Sequence, residues 1–175
     1  LGVTVTPLFC ESDPTFPNHH PDPTVDDNLQ ELITTVEASD HDLGVAFDGD
    51  GDRLGVVDER GSIIRGDLLL LLYGLDLLSK RGAGQSLIFD VKCSQVVAEV
   101  FSKAGGQPIM WKTGHSLIKK KMRETGALLG GELSGHIMIA DDYFGFDDAL
   151  YSACRLISMV SASGSTLSEM MTDFP

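Results

Sequence analysis

The chain has 175 residues, 42% apolar and 22% charged, enough to bury the core of one ordinary domain or two small ones and too apolar for a disordered segment. Its 26 acidic against 13 basic residues give a formal charge of −13, which repels a phosphate backbone and argues against nucleic acid as a partner. No apolar run reaches the ~18 to 20 residues that span a bilayer, because the densest, at 68–78, is interrupted by Tyr73, Gly74 and Asp76, so no membrane partner is expected.

The opening residues carry no basic segment and no small-residue cleavage site, so they do not read as a signal peptide. With Leu1 rather than Met at the start, the chain reads as an internal segment of a longer gene product. Cys10, Cys93 and Cys154 are odd in number and far apart, which fits neither a zinc site nor a disulfide framework. A cytoplasmic location follows, with the cysteines as core residues.

The pattern changes character near residue 62 and predicts two units, residues 1–62 and 63–175. In the first, residues 3–9 read as a strand, followed by a turn-rich loop through Pro14, Pro17, Asn18, His19, His20, Pro21 and Pro23. Leu29, Leu32, Ile33 and Val36 fall at i, i+3, i+4 and i+7, one apolar helix face. Two short apolar runs, 43–47 and 54–58, are strand candidates joined through an acidic loop at 48–53.

The second unit opens with Asp67 as the expected N-cap of an apolar helix ending near Lys80, with Gly82 beyond it. A strand at 86–91 follows, then a helix capped by Ser94 and bearing Val96, Val97, Val100 and Phe101. Residues 107–112 read as a strand and 116–125 as a helix, and 127–130 and 136–139 as short strands around a glycine-rich turn. A last helix at 147–161 puts Leu150, Ala153, Ile157 and Val160 on one face. Strands alternating with helices imply an α/β fold of two units with mixed, partly parallel sheets.

Asp48, Gly49, Asp50, Gly51, Asp52 and Arg53 are the most informative stretch. Three carboxylates at i, i+2 and i+4, with flexible glycines between them, fold back so that their oxygens converge, which suits a hard cation such as Mg²⁺. Strands on both sides place the loop where ligands of open α/β sheets bind. A calcium reading competes, because Asp48, Asp50, Asp52 and Glu59 match the first, third, fifth and twelfth positions of an EF-hand loop. Against it, Arg53 stands where that loop needs glycine, and strands stand where it needs helices. Another reading makes Asp48 an aspartyl nucleophile of a phosphatase or phosphotransferase. Arg53 is better explained as a planar bidentate donor to phosphate, and a metal beside a phosphate clamp suggests phosphoryl transfer.

Gly130, Gly131, Glu132, Leu133, Ser134, Gly135 and His136 bring a carboxylate, a hydroxyl and an imidazole together on a mobile backbone, a set suited to sugar hydroxyls. Lys112 and His115 stand at a strand-to-helix turn where free N–H groups favour an anion. Lys92 follows a strand end, where an ammonium meets a phosphate or a hydroxyl. The run from Lys119 to Arg123 reads as a solvated helix face, His19 and His20 as structural, and Trp111, Phe144 and Phe146 as packing.

These motifs, in order, resemble the α-D-phosphohexomutases, in particular their bacterial phosphomannomutase/phosphoglucomutase branch. The likeness runs through Asn18-His19-His20-Pro21-Asp22-Pro23, the 48–53 loop, Asp90-Val91-Lys92-Cys93, Trp111-Lys112-Thr113-Gly114-His115-Ser116-Leu117, Gly131-Glu132-Leu133-Ser134-Gly135-His136 and Phe144-Gly145-Phe146-Asp147-Asp148. Leu133 stands where methionine is common in the family. The resemblance implies a four-domain enzyme of which this chain is most of the second domain plus the third. It implies Mg²⁺ on Asp48, Asp50 and Asp52 beside a phosphoserine, with Arg53 next to that phosphate. It further implies Glu132, Ser134 and Gly131 on the hexose phosphate, with Lys92, His115 and His136 around it and His136 or Lys92 in proton transfer. The serine nucleophile of the first domain and the phosphate loop of the fourth would then be partners outside this chain, as would the opening strand and helix of the second domain. The chain alone is expected to be inactive.

Overall fold

The computed structural model describes residues 2–11, 13–172 and 174. Its first sheet is a hairpin, β1 (Leu43–Phe47) antiparallel to β2 (Leu54–Asp58) with Phe47 opposite Leu54, extended by a short β3 (Ile63–Ile64) on the far side of β2. The helix α1 (Gln30–Glu37), entered through a 3₁₀ turn at Asp26–Leu29, packs on β1. Gly44 makes that contact possible, since a Cβ there would lie 2.9 Å from Leu32 and Val36.

The second sheet has the strand order β5-β4-β6-β7, with β4 (Ser86–Asp90) parallel to both β5 (Gln107–Trp111) and β6 (Leu129–Gly131), and β7 (Ile137–Ile139) antiparallel to β6. The fold is therefore α/β with a partly parallel sheet. Parallel strands need crossovers, which α3 (Gln95–Lys103) and α4 (His115–Thr125) supply. Successive residues of β4 point to opposite faces: Leu87 and Phe89 join one core and Ile88 the other, with Ile118 and Met122 of α4.

The helix α2 (Gly66–Arg81) is buried nearly all round because it lies between the sheets, with Leu69 to Tyr73, Leu77 and Leu78 in one core with Val56, Leu87, Phe101 and Leu156. That core joins both sheets. Helix α5 (Ala149–Ser163) closes it against β1, β2 and β7, and the one-turn α6 (Leu167–Met170) is the last helix among the described residues. Among the described residues no helix is long and apolar enough to cross a membrane.

Several local expectations are corrected. Residues 3–9 form no strand: Val5 is 73% exposed, and no described strand lies beside the segment to complete a hydrogen-bond ladder. Asp67 does not cap α2; Arg65 takes the N-cap position, and the buried Asp67 carboxylate accepts the Ser94 N–H at 2.8 Å instead. Helix α5 starts at Ala149, because the Asp148 side chain caps it by accepting the Tyr151 N–H at 2.9 Å. Its buried side is Ala149, Ser152, Ala153, Leu156 and Met159, leaving Leu150 59% exposed. Only Cys93 of the three cysteines is buried, and Phe144 and Phe146 are 75% and 56% exposed rather than packed inside.

Candidate functional site

The acidic loop is the turn of the β1–β2 hairpin, and its shape is held from within. The side chain of Asp48 is 1% exposed; its Oδ1 accepts the N–H groups of Asp52 at 3.0 Å and Arg53 at 3.1 Å. Gly51 takes the left-handed conformation at the bend, φ 76°. The far oxygen of Asp48 accepts Arg53 Nε at 2.6 Å, and Arg53 Nη1 donates to Asp22 at 3.0 Å. One ligand oxygen each from Asp48, Asp50 and Asp52 lie within 4.8 Å of one another, the convergence that a hard cation requires.

The charges in the loop are unequal. Burial pushes Asp48 up, but the side-chain and backbone bonds from Arg53, followed by the side chain of Asp52, outweigh it, and its carboxyl sits below the usual range. Asp52 is raised instead: burial and the neighbouring charges of Asp48 and Asp50 overcome the pull of His136. A cation placed among the three relieves that repulsion.

The glycine-rich loop after β6 meets this hairpin directly. Arg53 and His136 form an antiparallel bridge, and the Leu54 N–H donates to the Gly135 carbonyl at 3.1 Å. Gly135 has φ 92°, and a Cβ there would stand 2.6 Å from the Leu54 carbonyl oxygen. A Cβ on Gly131 would lie 2.9 Å from the His136 carbonyl oxygen, so both glycines serve close backbone approach.

His136 lies between the two loops. Its Nε2 is 3.3 Å from Asp52 Oδ1, and its Nδ1 is 3.0 Å from Glu132 Oε2 and 2.9 Å from Ser134 Oγ. Burial lowers its affinity for a proton, but the acceptor bond to Glu132 and the charges of Asp52, Glu132 and Asp147 raise it further, leaving the ring above its ordinary value. The other oxygen of the buried Glu132 accepts the Gly114 N–H at 2.5 Å, which ties the 131–136 loop to the start of α4.

His115, the first residue of α4, is half-exposed and stacks on His136 with centroids 5.4 Å apart at 21°. Its Nδ1 meets Asp147 Oδ2 at 2.5 Å, and Lys119 Nζ donates to the other Asp147 oxygen at 2.7 Å. Burial of Asp147 is outweighed by these partners, Lys119 first, so its carboxyl is held below the usual range. Lys92 and Lys112 stay exposed at the carboxyl ends of β4 and β5, outside this hydrogen-bonded cluster.

Three participants escaped the sequence reading. Asp90, buried at the end of β4, accepts Thr113 Oγ1 at 2.7 Å and the Leu133 N–H at 3.3 Å, joining the loops after β4, β5 and β6. Asp22 holds Arg53, and its place inside the Asn-His-His-Pro-Asp-Pro run was the available signal. Lys119 is not a solvated charge but donates to Asp147 at 2.7 Å, and its position one helical turn after His115 was the signal for it. Lys121, from the same run, lies over the Trp111 ring at 4.2 Å.

The two competing readings lose ground on geometry. Strands flank the acidic loop, and Glu59, the residue an EF-hand would turn onto calcium, is bonded to the N–H and hydroxyl of Ser168 in α6. An aspartyl nucleophile must be open to substrate, whereas both oxygens of Asp48 are engaged and its side chain is enclosed.

The family model for phosphoglucomutase/phosphomannomutase, alpha/beta/alpha domain II, matches residues 1–61, and that for domain III of the same family matches residues 65–175. Over all 175 residues the chain is 54% identical to a phosphomannomutase/phosphoglucomutase of Pseudomonas aeruginosa and 50% identical to a phosphoglucomutase of Neisseria meningitidis serogroup A. It spans 38% of the length of each of these relatives. A crystal structure of a phosphoglucomutase/phosphomannomutase family protein from Burkholderia thailandensis is similar at a TM-score of 0.85 and 51% identity, over 89% of this chain and 34% of that one.

Proposed function

Since this chain belongs to the phosphoglucomutase/phosphomannomutase family, we propose that it is the metal- and sugar-binding middle of an enzyme that interconverts hexose 1-phosphate and hexose 6-phosphate. The observation that carries this reading is the Arg53–His136 bridge, which sets a convergent acidic loop against a carboxylate-hydroxyl-imidazole loop. On this reading residues 1–62 are part of a second domain and 63–175 a third. Domains one and four of the same cytoplasmic protein complete the active site.

The donor set fits Mg²⁺: three carboxylate oxygens from Asp48, Asp50 and Asp52 within 4.8 Å, with mutual repulsion among them to relieve. Bound there, the ion neutralises charge that gathers on a transferring phosphoryl group. Arg53, steadied by Asp48 and Asp22, presents its remaining guanidinium donors to phosphate. Glu132, Ser134 and the Gly131 backbone orient the hexose hydroxyls, and Lys92 and His115 close around its phosphate and ring.

In the proposed reaction a hexose hydroxyl attacks the phosphorus of a phosphoserine on domain one. The serine P–O bond breaks, the sugar becomes a bisphosphate, and its other phosphate then returns to the serine, leaving the isomeric monophosphate. His136, between Asp52 and Glu132, takes the hydroxyl proton on attack and gives one back on return, with Lys92 beside the leaving oxygen.

The test follows glucose 1-phosphate and mannose 1-phosphate with Mg²⁺ by phosphorus NMR. The full-length gene product is expected to form the 6-phosphates and the 175-residue chain alone to form none. Turnover by the chain alone, or none by the full-length protein with either sugar, would overturn the reading.

A further inference from the structure

We infer that Asp147 is a positioning residue that fixes the His115 ring with its proton on Nδ1 and its lone pair on Nε2, making His115 an acceptor for a hexose hydroxyl. The inference rests on the proposed sugar-binding role of His115 and specifies the atom through which it acts. The carboxylate of Asp147 reaches both His115 Nδ1, at 2.5 Å, and Lys119 Nζ, at 2.7 Å, with one oxygen for each. The Lys119 ammonium can only donate, so it keeps that carboxylate ionised and acceptor-only. Lys119 Nζ also stands 3.4 Å from His115 Nδ1, but the carboxylate oxygen is far closer at 2.5 Å, and a ring nitrogen at that distance from an acceptor-only oxygen carries the hydrogen, which in the neutral ring leaves Nε2 without one.

The backbone supports the same placement from both sides. Met138 and Asp147 form an antiparallel bridge, which pins the aspartate to the edge of β7. The next residue, Asp148, is the N-cap of α5, and it also accepts the Tyr143 hydroxyl at 2.7 Å. His115 and Lys119 lie one turn apart on α4, so a single rigid helix presents both to one carboxylate. The ring stacks on His136 and its side chain is half-exposed, so its orientation is held while part of it stays open to a ligand. Sugar hydroxyls are the ligand class that needs such an acceptor. A phosphate, lacking hydrogens at neutral pH, would need a donor there.

The experiment is nitrogen-15 NMR of the imidazole rings in the 175-residue chain, with His115→Gln used to assign the ring. Wild-type His115 is expected as the Nδ1–H form. In Asp147→Asn the amide oxygen stays with Lys119 and the NH₂ turns to the ring, so the proton should move to Nε2, whereas Asp147→Glu should restore Nδ1–H. Lys119→Met removes a partner without removing the acceptor and should leave Nδ1 protonated. A purely structural role for Asp147 would not move the tautomer. In the full-length enzyme Asp147→Asn should lower kcat/KM by about 10- to 100-fold. An Nε2–H ring in the wild type, or an unchanged tautomer in Asp147→Asn, overturns the inference; the wild-type spectrum alone decides if the variant does not fold. An inactive full-length protein would instead overturn the mutase reading and leave the tautomer result standing.

Discussion

Arg53 and His136 face each other across an antiparallel bridge between two loops that are 83 positions apart by their own numbers (136 − 53), and the bond from the Leu54 N–H to the Gly135 carbonyl, 3.1 Å, continues that contact. The acidic hairpin and the glycine-rich loop thus share one short stretch of main chain. A disturbance at this joint reaches both halves of the site.

Gly135 is the tightest point of the joint. Alanine there must accept φ 92° and a Cβ 2.6 Å from the Leu54 carbonyl oxygen. Gly135→Ala should lower stability by about 1–3 kcal/mol. Urea unfolding monitored by circular dichroism measures it, and an unchanged midpoint would contradict the packing described here.

Three aspartates supply only part of a coordination shell, and Mg²⁺ holds on to water. Isothermal titration of the chain alone should therefore show weak Mg²⁺ binding, with Kd of about 1 mM or above, corresponding to no more than about 4 kcal/mol. Asp50→Asn should weaken it further. Micromolar affinity in the isolated chain would count against a site that relies on a phosphoserine oxygen.

Asp141 is buried between Arg81, at 2.7 Å, and Arg155, at 3.2 Å. Burial pushes its carboxyl up, yet the two guanidinium groups win and hold it below its ordinary 3.8. A carboxyl with a lowered folded-state value adds stability above its unfolded value and loses it as pH falls through the folded one. Stability should therefore drop below about pH 4, and this part of the drop should vanish in Asp141→Asn. Urea midpoints measured from pH 6 down to 3 would show it; parallel curves for the two proteins would refute it.

Phe101 is fully buried in the core shared by both sheets, and Gly74 and Gly106 pack against its ring so closely that a Cβ on either would crowd it. Phe101→Ala should cost about 3–5 kcal/mol through lost burial and an unfilled cavity. Thermal and urea unfolding check it. A loss under about 1 kcal/mol would mean that the core refills around the hole.

The parts of the site that were legible in the sequence are those written within one loop. The Asp48 to Arg53 spacing points to a metal beside a phosphate because alternating glycines leave a short loop few other ways to relieve three like charges. The alternation of strand and helix from Ser86 onward marked a parallel sheet, because parallel strands need crossovers. Residues 3–9 misled because an alternating apolar pattern says nothing about whether a partner strand lies alongside. In α5, spacing alone named a helix but not the side it would bury, which the cap at Asp148 and the neighbouring sheets determine.

From its sequence alone, then, this protein has its α/β class, its acidic loop and its family, since local spacing and ordered motifs carry all three. Tertiary structure decided the rest: that Asp22 steadies Arg53, that Asp90 joins three loops, and that Asp147 binds both His115 and Lys119. Each of these contacts joins residues more than twenty positions apart in the chain. Strand pairing brings such distant groups within hydrogen-bonding reach: β4 lies between β5 and β6, which lines up the loops that follow them, and Asp147 is bridged to Met138 of β7.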